Sequence, residues 1–227
     1  MKTETLWNGI ALHTPEGQFP LGTDSVLLAY FAKQGKKVCD LCCGCGAVAL
    51  MLLASDKRRA VTGVELQAEA AEAARHNAEA NHLPFSVLHG DIRQIRTLLP
   101  PCSFDTVVSN PPYHVNGSDP ARAQRTCTPE DLCKAAAWLL PTGGRFYFVH
   151  RTERLAELIS ALSANGLEPK QLQFIRHKPN SRRTLFLMEA VRGAKPSLKL
   201  LDDFILFNDD GTETDECRRA YHHEGGL

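Results

Sequence analysis

The chain lacks any apolar run near the roughly 20 residues that a membrane-spanning helix needs. Its start, Met1-Lys2-Thr3-Glu4, also lacks the apolar core of a secretory leader. The expectation is a cytoplasmic protein with no membrane partner. An excess of charge of either sign is missing as well, since Lys+Arg and Asp+Glu are both 26. This excludes a protein whose whole surface grips a polyanion, so any nucleic acid would have to meet a local basic patch. Internal repeats, low-complexity segments and interdomain linkers are absent too. That leaves 227 residues for one α/β domain with a full core and small additions at its ends.

Cysteine is plentiful, but half of a metal motif is missing. Cys39, Cys42, Cys43 and Cys45 crowd into a short stretch, while Cys102, Cys127, Cys133 and Cys217 form no second Cys-x-x-Cys pair. Structural zinc usually wants two such pairs separated by a longer loop. No metal is expected, and small buried thiols at a tight turn fit the pattern better.

Strand-like and helix-like segments alternate from about Lys36 to Val191. This predicts a Rossmann-like, seven-stranded, mostly parallel sheet with helices on both faces. Strands are expected at Lys37–Leu41, Ala60–Glu65, Phe85–Leu88, Phe104–Ser109, Arg145–His150, Gln171–Arg176 and Thr184–Val191. The link between the last two is too short for a parallel crossover, so the last strand should be antiparallel. Helices are expected at Val26–Ala32, capped by Gly22-Thr23-Asp24-Ser25, then at Ala47–Ala54 and Gln67–Asn81. Thr128-Pro129-Glu130-Asp131 opens another, with a capping Thr, a Pro at the first position and acids at the positive end. One more spans Glu153–Ala164. Residues 1–35 then form an N-terminal extension, 36–192 the core and 193–227 a C-terminal extension with a short strand or hairpin at the sheet edge.

Candidate chemistry gathers at the strand ends. Gly44 and Gly46 form a Gly-rich turn after the first strand, where backbone can approach a ligand and a helix begins. Asp40 in that strand would repel a diphosphate, but could receive the ammonium group of an amino-acid moiety. Glu65, with Leu66 beside it, ends the second strand and is placed to take two ribose hydroxyls. Asp91 could accept from an adenine amino group, with Ile92 against the ring. An amino-acid end, a ribose and an adenine along one sheet edge describe S-adenosylmethionine (SAM). At the end of the fourth strand stands Asn110-Pro111-Pro112-Tyr113. Two prolines stop the strand and leave its last carbonyls free. An Asn acceptor and a Tyr ring complete a site suited to a planar group carrying NH2.

Asp40-Leu41-Cys42-Cys43-Gly44-Cys45-Gly46 resembles motif I of class I SAM-dependent methyltransferases, with Cys42 where most carry Gly. Glu65 and Gly90-Asp91 match their second and third motifs. Asn110 to Tyr113 resembles the fourth motif of the enzymes that methylate adenine N6, cytosine N4 or a glutamine amide. Phe19 through Leu28, Asp40 through Gly44 and Lys178 through Arg183 resemble the bacterial tRNA adenine-N6 methyltransferases that modify the base next to a valine anticodon. The resemblance implies transfer of methyl from SAM to adenine N6 in tRNA, with Asn110, Pro111, Pro112 and Tyr113 as the catalytic set. It also implies that Gly22, Thr23 and Asp24 lie over the methionine end of SAM, with Asp40, Cys42, Gly44, Gly46, Glu65, Leu66, Asp91, Ile92 and Asn110 lining the rest. A glutamine amide, or adenine in ribosomal RNA or DNA, is the rival substrate. A SAM- or RNA-binding module without catalysis is the rival of another class, and it should show a damaged Asn-Pro-Pro-Tyr, which here is intact.

Basic residues concentrate late in the chain: between Lys170 and Lys199 there are eight Lys/Arg against one acid, Glu189. Lys178, Arg182 and Arg183, together with Arg122 and Arg125 after Tyr113, are the expected contacts to RNA phosphates.

Overall fold

The sheet grows outward from β3 (Lys37–Leu41), in which Val38, Cys39, Asp40 and Leu41 are all almost fully buried. That is the burial expected of a parallel strand covered on both faces. The computed structural model describes residues 2–18, 20–32, 35–112 and 127–222. On one side β3 pairs with β4 (Ala60–Glu65), which pairs with β5 (Phe85–His89). On the other it pairs with β6 (Thr106–Ser109), followed by β7 (Arg145–Arg151). All of these pairings are parallel. β9 (Arg183–Arg192) then runs antiparallel to both β7 and β8 (Leu167–Arg176).

The seven expected strands therefore lie in the order β5-β4-β3-β6-β7-β9-β8. Two further two-residue strands, β10 (Lys199–Leu200) and β11 (Phe204–Ile205), pair parallel with β8 and enlarge the sheet to nine strands.

Each face has its own apolar core. On one face α1 (Thr23–Phe31), α2 (Ala47–Ser55) and α3 (Ala68–Ala80) pack against Val38, Val61, Val108 and Val149. On the other, α5 (Pro129–Leu139) and α6 (Leu155–Ala164) cover Leu41, Val107, Phe146 and Phe148, with the one-turn α4 (Ile95–Leu98) at the side. The start of α5 has the expected capping box: Thr128 accepts from the Asp131 N–H, and the Asp131 carboxylate accepts from the Thr128 N–H.

Two elements of the extensions were not anticipated. A hairpin of β1 (Lys2–Thr5) and β2 (Ala11–Thr14) docks on α3 through two asparagines. Asn81 bonds both the N–H and the C=O of Ala11, and Asn77 does the same for His13. Positions four apart on a helix rise about 6 Å, close to two residues of strand, so the helix face stands in for a strand. Asn77, fully buried, donates its remaining N–H to Cys45 C=O in the turn after β3. The second element is α7 (Asp215–His222), whose Ala220 carbonyl accepts from Trp7 Nε1 at 2.9 Å.

Candidate active site

Parallel strands bring their carboxyl ends to one edge of the sheet, where ligands of open α/β folds bind. Here the sheet order places Asp91, Glu65, the Cys42–Gly46 turn, Asn110 and Arg151 in succession along that edge. Because β9 runs the other way, its start at Arg183 lies on the same edge, beside Lys178 just past the end of β8.

The turn after β3 is held by Val64, whose carbonyl accepts the N–H groups of Cys42 and Cys43 at 2.9 and 3.2 Å. Gly44 (φ +53) and Gly46 (φ +90) are left-handed, and a Cβ on Gly46 would stand 2.6 Å from the Phe85 ring. Cys42 is left-handed too, at φ 61, a conformation that costs a residue with a Cβ. A hydrogen bond with the Cys127 thiol, followed by burial, pushes the Cys42 thiol well above the usual range. Cys43 fits because residue 63 is Gly: a Cβ there would meet its sulfur at 2.6 Å. Among the described residues no group of three or more His, Cys, Asp or Glu could hold a metal ion.

The three acids differ sharply. Asp40 is 1% exposed, and burial pushes its carboxyl up to about 8 despite a hydrogen bond from the Ala49 N–H. Among the described residues its Oδ2 has no hydrogen-bond partner. The Glu65 carboxylate accepts from the Gly44 N–H at 2.9 Å and the Gln67 N–H at 2.8 Å, so it braces the glycine turn. Each of its oxygens retains further acceptor capacity for a ligand hydroxyl. Leu66 next to it is 38% exposed, an apolar surface at the rim. Asp91 is taken up by Arg93, which bonds it through its backbone N–H, Nε and Nη2, and these bonds hold the carboxyl below its usual range. An adenine amino group would have to share Asp91 with Arg93. Ile92 is buried against the second core.

Asn110 follows β6, and its Nδ2 donates to Ser25 Oγ at 2.9 Å. Pro111 is buried and Pro112 exposed. Tyr113, Arg122 and Arg125 lie outside the described residues. The segment that holds Asn110 starts differently from expectation: α1 begins at Thr23 with Gly22 as its cap residue, and no side chain caps it. Asp24 instead bonds the Ser25 N–H at 3.0 Å and lies so close over Gly22 that a Cβ there would meet Asp24 Oδ1 at 2.3 Å. Thr23 accepts from the Tyr221 hydroxyl.

The basic loop is divided between structural and open residues. Arg183 bonds Asp203 and lies over the Phe174 ring, while Arg176 bonds Asp203 at 2.5 Å. Lys178 Nζ reaches the Asp209 carbonyl at 3.2 Å. The Arg182 side chain is exposed and, among the described residues, makes no hydrogen bond or ion pair. Arg151 and Ser25 were missed as site residues. The signal for Arg151 was its place at the end of the strand next to Asn110, and for Ser25 there was no local signal.

Residues 16–164 match the family described as the methyltransferase small domain. A tRNA1(Val) (adenine(37)-N6)-methyltransferase from Porphyromonas gingivalis is 30% identical over 189 residues, 74% of this chain and 73% of its own length. A predicted O-methyltransferase from Agrobacterium tumefaciens superimposes with a TM-score of 0.74 at 23% identity, covering 87% of this chain and 95% of that one. The 16S rRNA N2 G1207 methyltransferase of Thermus thermophilus, solved with AdoMet and guanosine, gives a TM-score of 0.61 at 23% identity over 84% of this chain and 50% of that one. The structural likenesses carry the fold. The matched span runs from the approach to α1, through the glycine turn and Asn110, to the end of α6, so the chain belongs to the methyltransferase small domain family.

Proposed function

We propose that this chain transfers a methyl group from SAM to the N6 amino group of adenine in tRNA, at the base next to a valine anticodon. The observation that carries this reading is Asn110, held by Ser25 at the end of β6, one strand away from the glycine turn. The residues fit SAM: the unpartnered Asp40 Oδ2 suits the ammonium group, and Glu65 has acceptor capacity for the ribose hydroxyls. Gly44 keeps the backbone approach open, since a Cβ built there meets nothing within 4 Å. When bound, SAM supplies a methyl group activated by its sulfonium. The relative's name supports adenine N6 in tRNA as the acceptor.

The acceptor nitrogen is a poor nucleophile because its lone pair is delocalised into the ring. The Asn110 side-chain carbonyl and the Pro111 backbone carbonyl accept its two N–H bonds and draw it toward tetrahedral geometry. The lone pair then points at the methyl group. Tyr113 stacks on the base. The protein contributes mainly orientation and electrostatics, with no general base needed before transfer. The base must be flipped out or already unpaired, as in an anticodon loop. The reading includes a cytoplasmic setting, where tRNA is found, and a site that works without a bound metal.

The test is incubation of the purified protein with SAM and tRNA from cells lacking the gene, followed by nucleoside mass spectrometry. N6-methyladenosine in valine tRNA is the expected product. Methylation of a glutamine peptide in place of any RNA would overturn the reading.

A further inference from the structure

A pocket of about 300 Å³ lies beside Asn110, on the side away from the glycine turn, lined by Thr23, Asp24, Arg151, Thr184 and Leu185. Its position follows from strand register. Ser109 of β6 pairs with Phe148 of β7, so Arg151 stands two residues further along its strand than Asn110, roughly 7 Å at strand spacing. Leu185 of β9 pairs with Arg151, which brings Thr184 to the rim. The opposite wall is the first turn of α1, the turn whose Ser25 holds Asn110. Pocket and acceptor site thus share one wall.

The lining is two-ended. A guanidinium binds phosphate with well-directed donors, and the positive end of α1 adds to its attraction for an anion. A carboxylate repels phosphate but accepts from a hydroxyl. A ligand that satisfies both walls carries an anion at one end and a hydroxyl at the other. Thr23 and Thr184 add hydroxyls that serve either end. The sugar-phosphate of a ribonucleotide has this chemistry, and the distance from Asn110 suits the nucleotide whose base is being methylated.

We propose that the pocket between Asp24 and Arg151 holds the ribose and phosphate of the target nucleotide, with Arg151 on the phosphate and Asp24 accepting from the 2′-hydroxyl. The chain thereby distinguishes RNA from DNA at the nucleotide it modifies. This inference rests on the tRNA reading given above and names the residues that would hold the target nucleotide's sugar and phosphate.

The experiment uses full-length protein, saturating SAM, a valine tRNA transcript, and the same transcript with one 2′-deoxy substitution at the methylated position. Losing one charge-assisted contact should raise KM about tenfold or more. Arg151→Ala is expected to raise KM for tRNA by that factor with unchanged SAM affinity, and Arg151→Lys to recover part of it. The 2′-deoxy transcript should show a similar rise with the parent protein. The ratio of the two KM values should fall to one in Asp24→Ala, assayed at SAM raised to saturate that variant because Asp24 also belongs to the turn expected over the cofactor. An Arg151→Ala protein with the parent's KM, or a parent indifferent to the 2′-deoxy change, overturns the pocket assignment while leaving the methyltransferase reading intact. A parent that methylates no RNA overturns the nucleic-acid reading itself.

Discussion

The Tyr221 hydroxyl donates to Thr23 Oγ1 at 2.7 Å, joining positions 198 residues apart in the chain. Through this bond α7 holds the first turn of α1, the segment that the family resemblance would lay over the methionine end of SAM. Trp7 Nε1 anchors α7 in turn at the Ala220 carbonyl. Tyr221→Phe removes one neutral hydrogen bond, worth about 1 kcal/mol, without emptying space. The expected outcome is a several-fold rise in the SAM dissociation constant with a nearly unchanged melting temperature. Calorimetric titration showing the parent's affinity would detach α7 from the site.

Asp40 makes the pH dependence specific. The folded chain keeps this proton up to about 8, whereas the ordinary carboxyl value is 3.8. The native state therefore binds more protons between those values. The group's cost to stability grows as pH rises through that window and vanishes below it. Asp40→Asn should accordingly gain stability over the parent progressively from pH 4 to pH 9, while losing SAM affinity. An ammonium placed on Oδ2 favours the ionised form, so SAM binding near neutral pH should release up to about one proton. Titration in buffers of different ionisation enthalpy measures that release, and a value of zero removes the ammonium from Asp40.

Glu65 braces Gly44 and Gln67, and in the proposed reading it also takes the ribose hydroxyls. Glu65→Ala should weaken SAM binding at least tenfold, each lost charge-assisted bond being worth roughly 1.5–3 kcal/mol. It should also lower the melting temperature, because two backbone N–H groups lose their acceptor. Glu65→Gln keeps one acceptor oxygen and should fall between. A folded Glu65→Ala protein with unchanged SAM affinity takes Glu65 out of the site.

Asn110→Ala should abolish methyl transfer and leave SAM binding nearly intact if the amide acts on the acceptor nitrogen as proposed. Ser25→Ala tests the orientation of that amide. Losing the Nδ2 partner should lower kcat while leaving SAM affinity close to the parent's. Substantial transfer by Asn110→Ala under saturating SAM would contradict the assigned role.

Arg182 and Arg183 should behave differently despite being neighbours. Arg183 neutralises Asp203, whose burial would raise its carboxyl but whose bonds to Arg183 and Arg176 hold it below the ordinary range. Arg183→Ala should destabilise the fold. Arg182→Ala should leave stability unchanged and flatten the salt dependence of tRNA binding by up to about one log-log unit. Equal salt slopes for parent and Arg182→Ala would return Arg182 to plain solvated surface.

The sheet core was legible because its signals are local. β3 and β4 begin and end where apolar runs meet Gly or an acid, and Thr128-Pro129 marks α5 by cap chemistry alone. β8 was read too short because Pro169 interrupts its start. The proline sits at a register shift against β9, where a missing N–H does least harm to the ladder. The hairpin and α7 were missed because their stability comes from distant partners: Asn77, Asn81 and the Trp7–Ala220 bond. Along the carboxyl edge of the sheet the acids and glycines stand at the strand ends where their places in the sequence put them. Which of them are already engaged, as Asp91 is by Arg93, depends on side-chain geometry that spacing does not contain.

The asparagine pair on α3 gives the glycine turn an unusual mechanical neighbour. Asn77 cannot release His13 without also unsettling the Cys45 carbonyl, since one buried amide serves both. Lifting the N-terminal hairpin and loosening the glycine turn therefore become a single opening event. The amide protons of Ala11 and His13 should exchange with solvent as one cooperative unit, and a ligand that tightens the turn should slow them from the far side of α3.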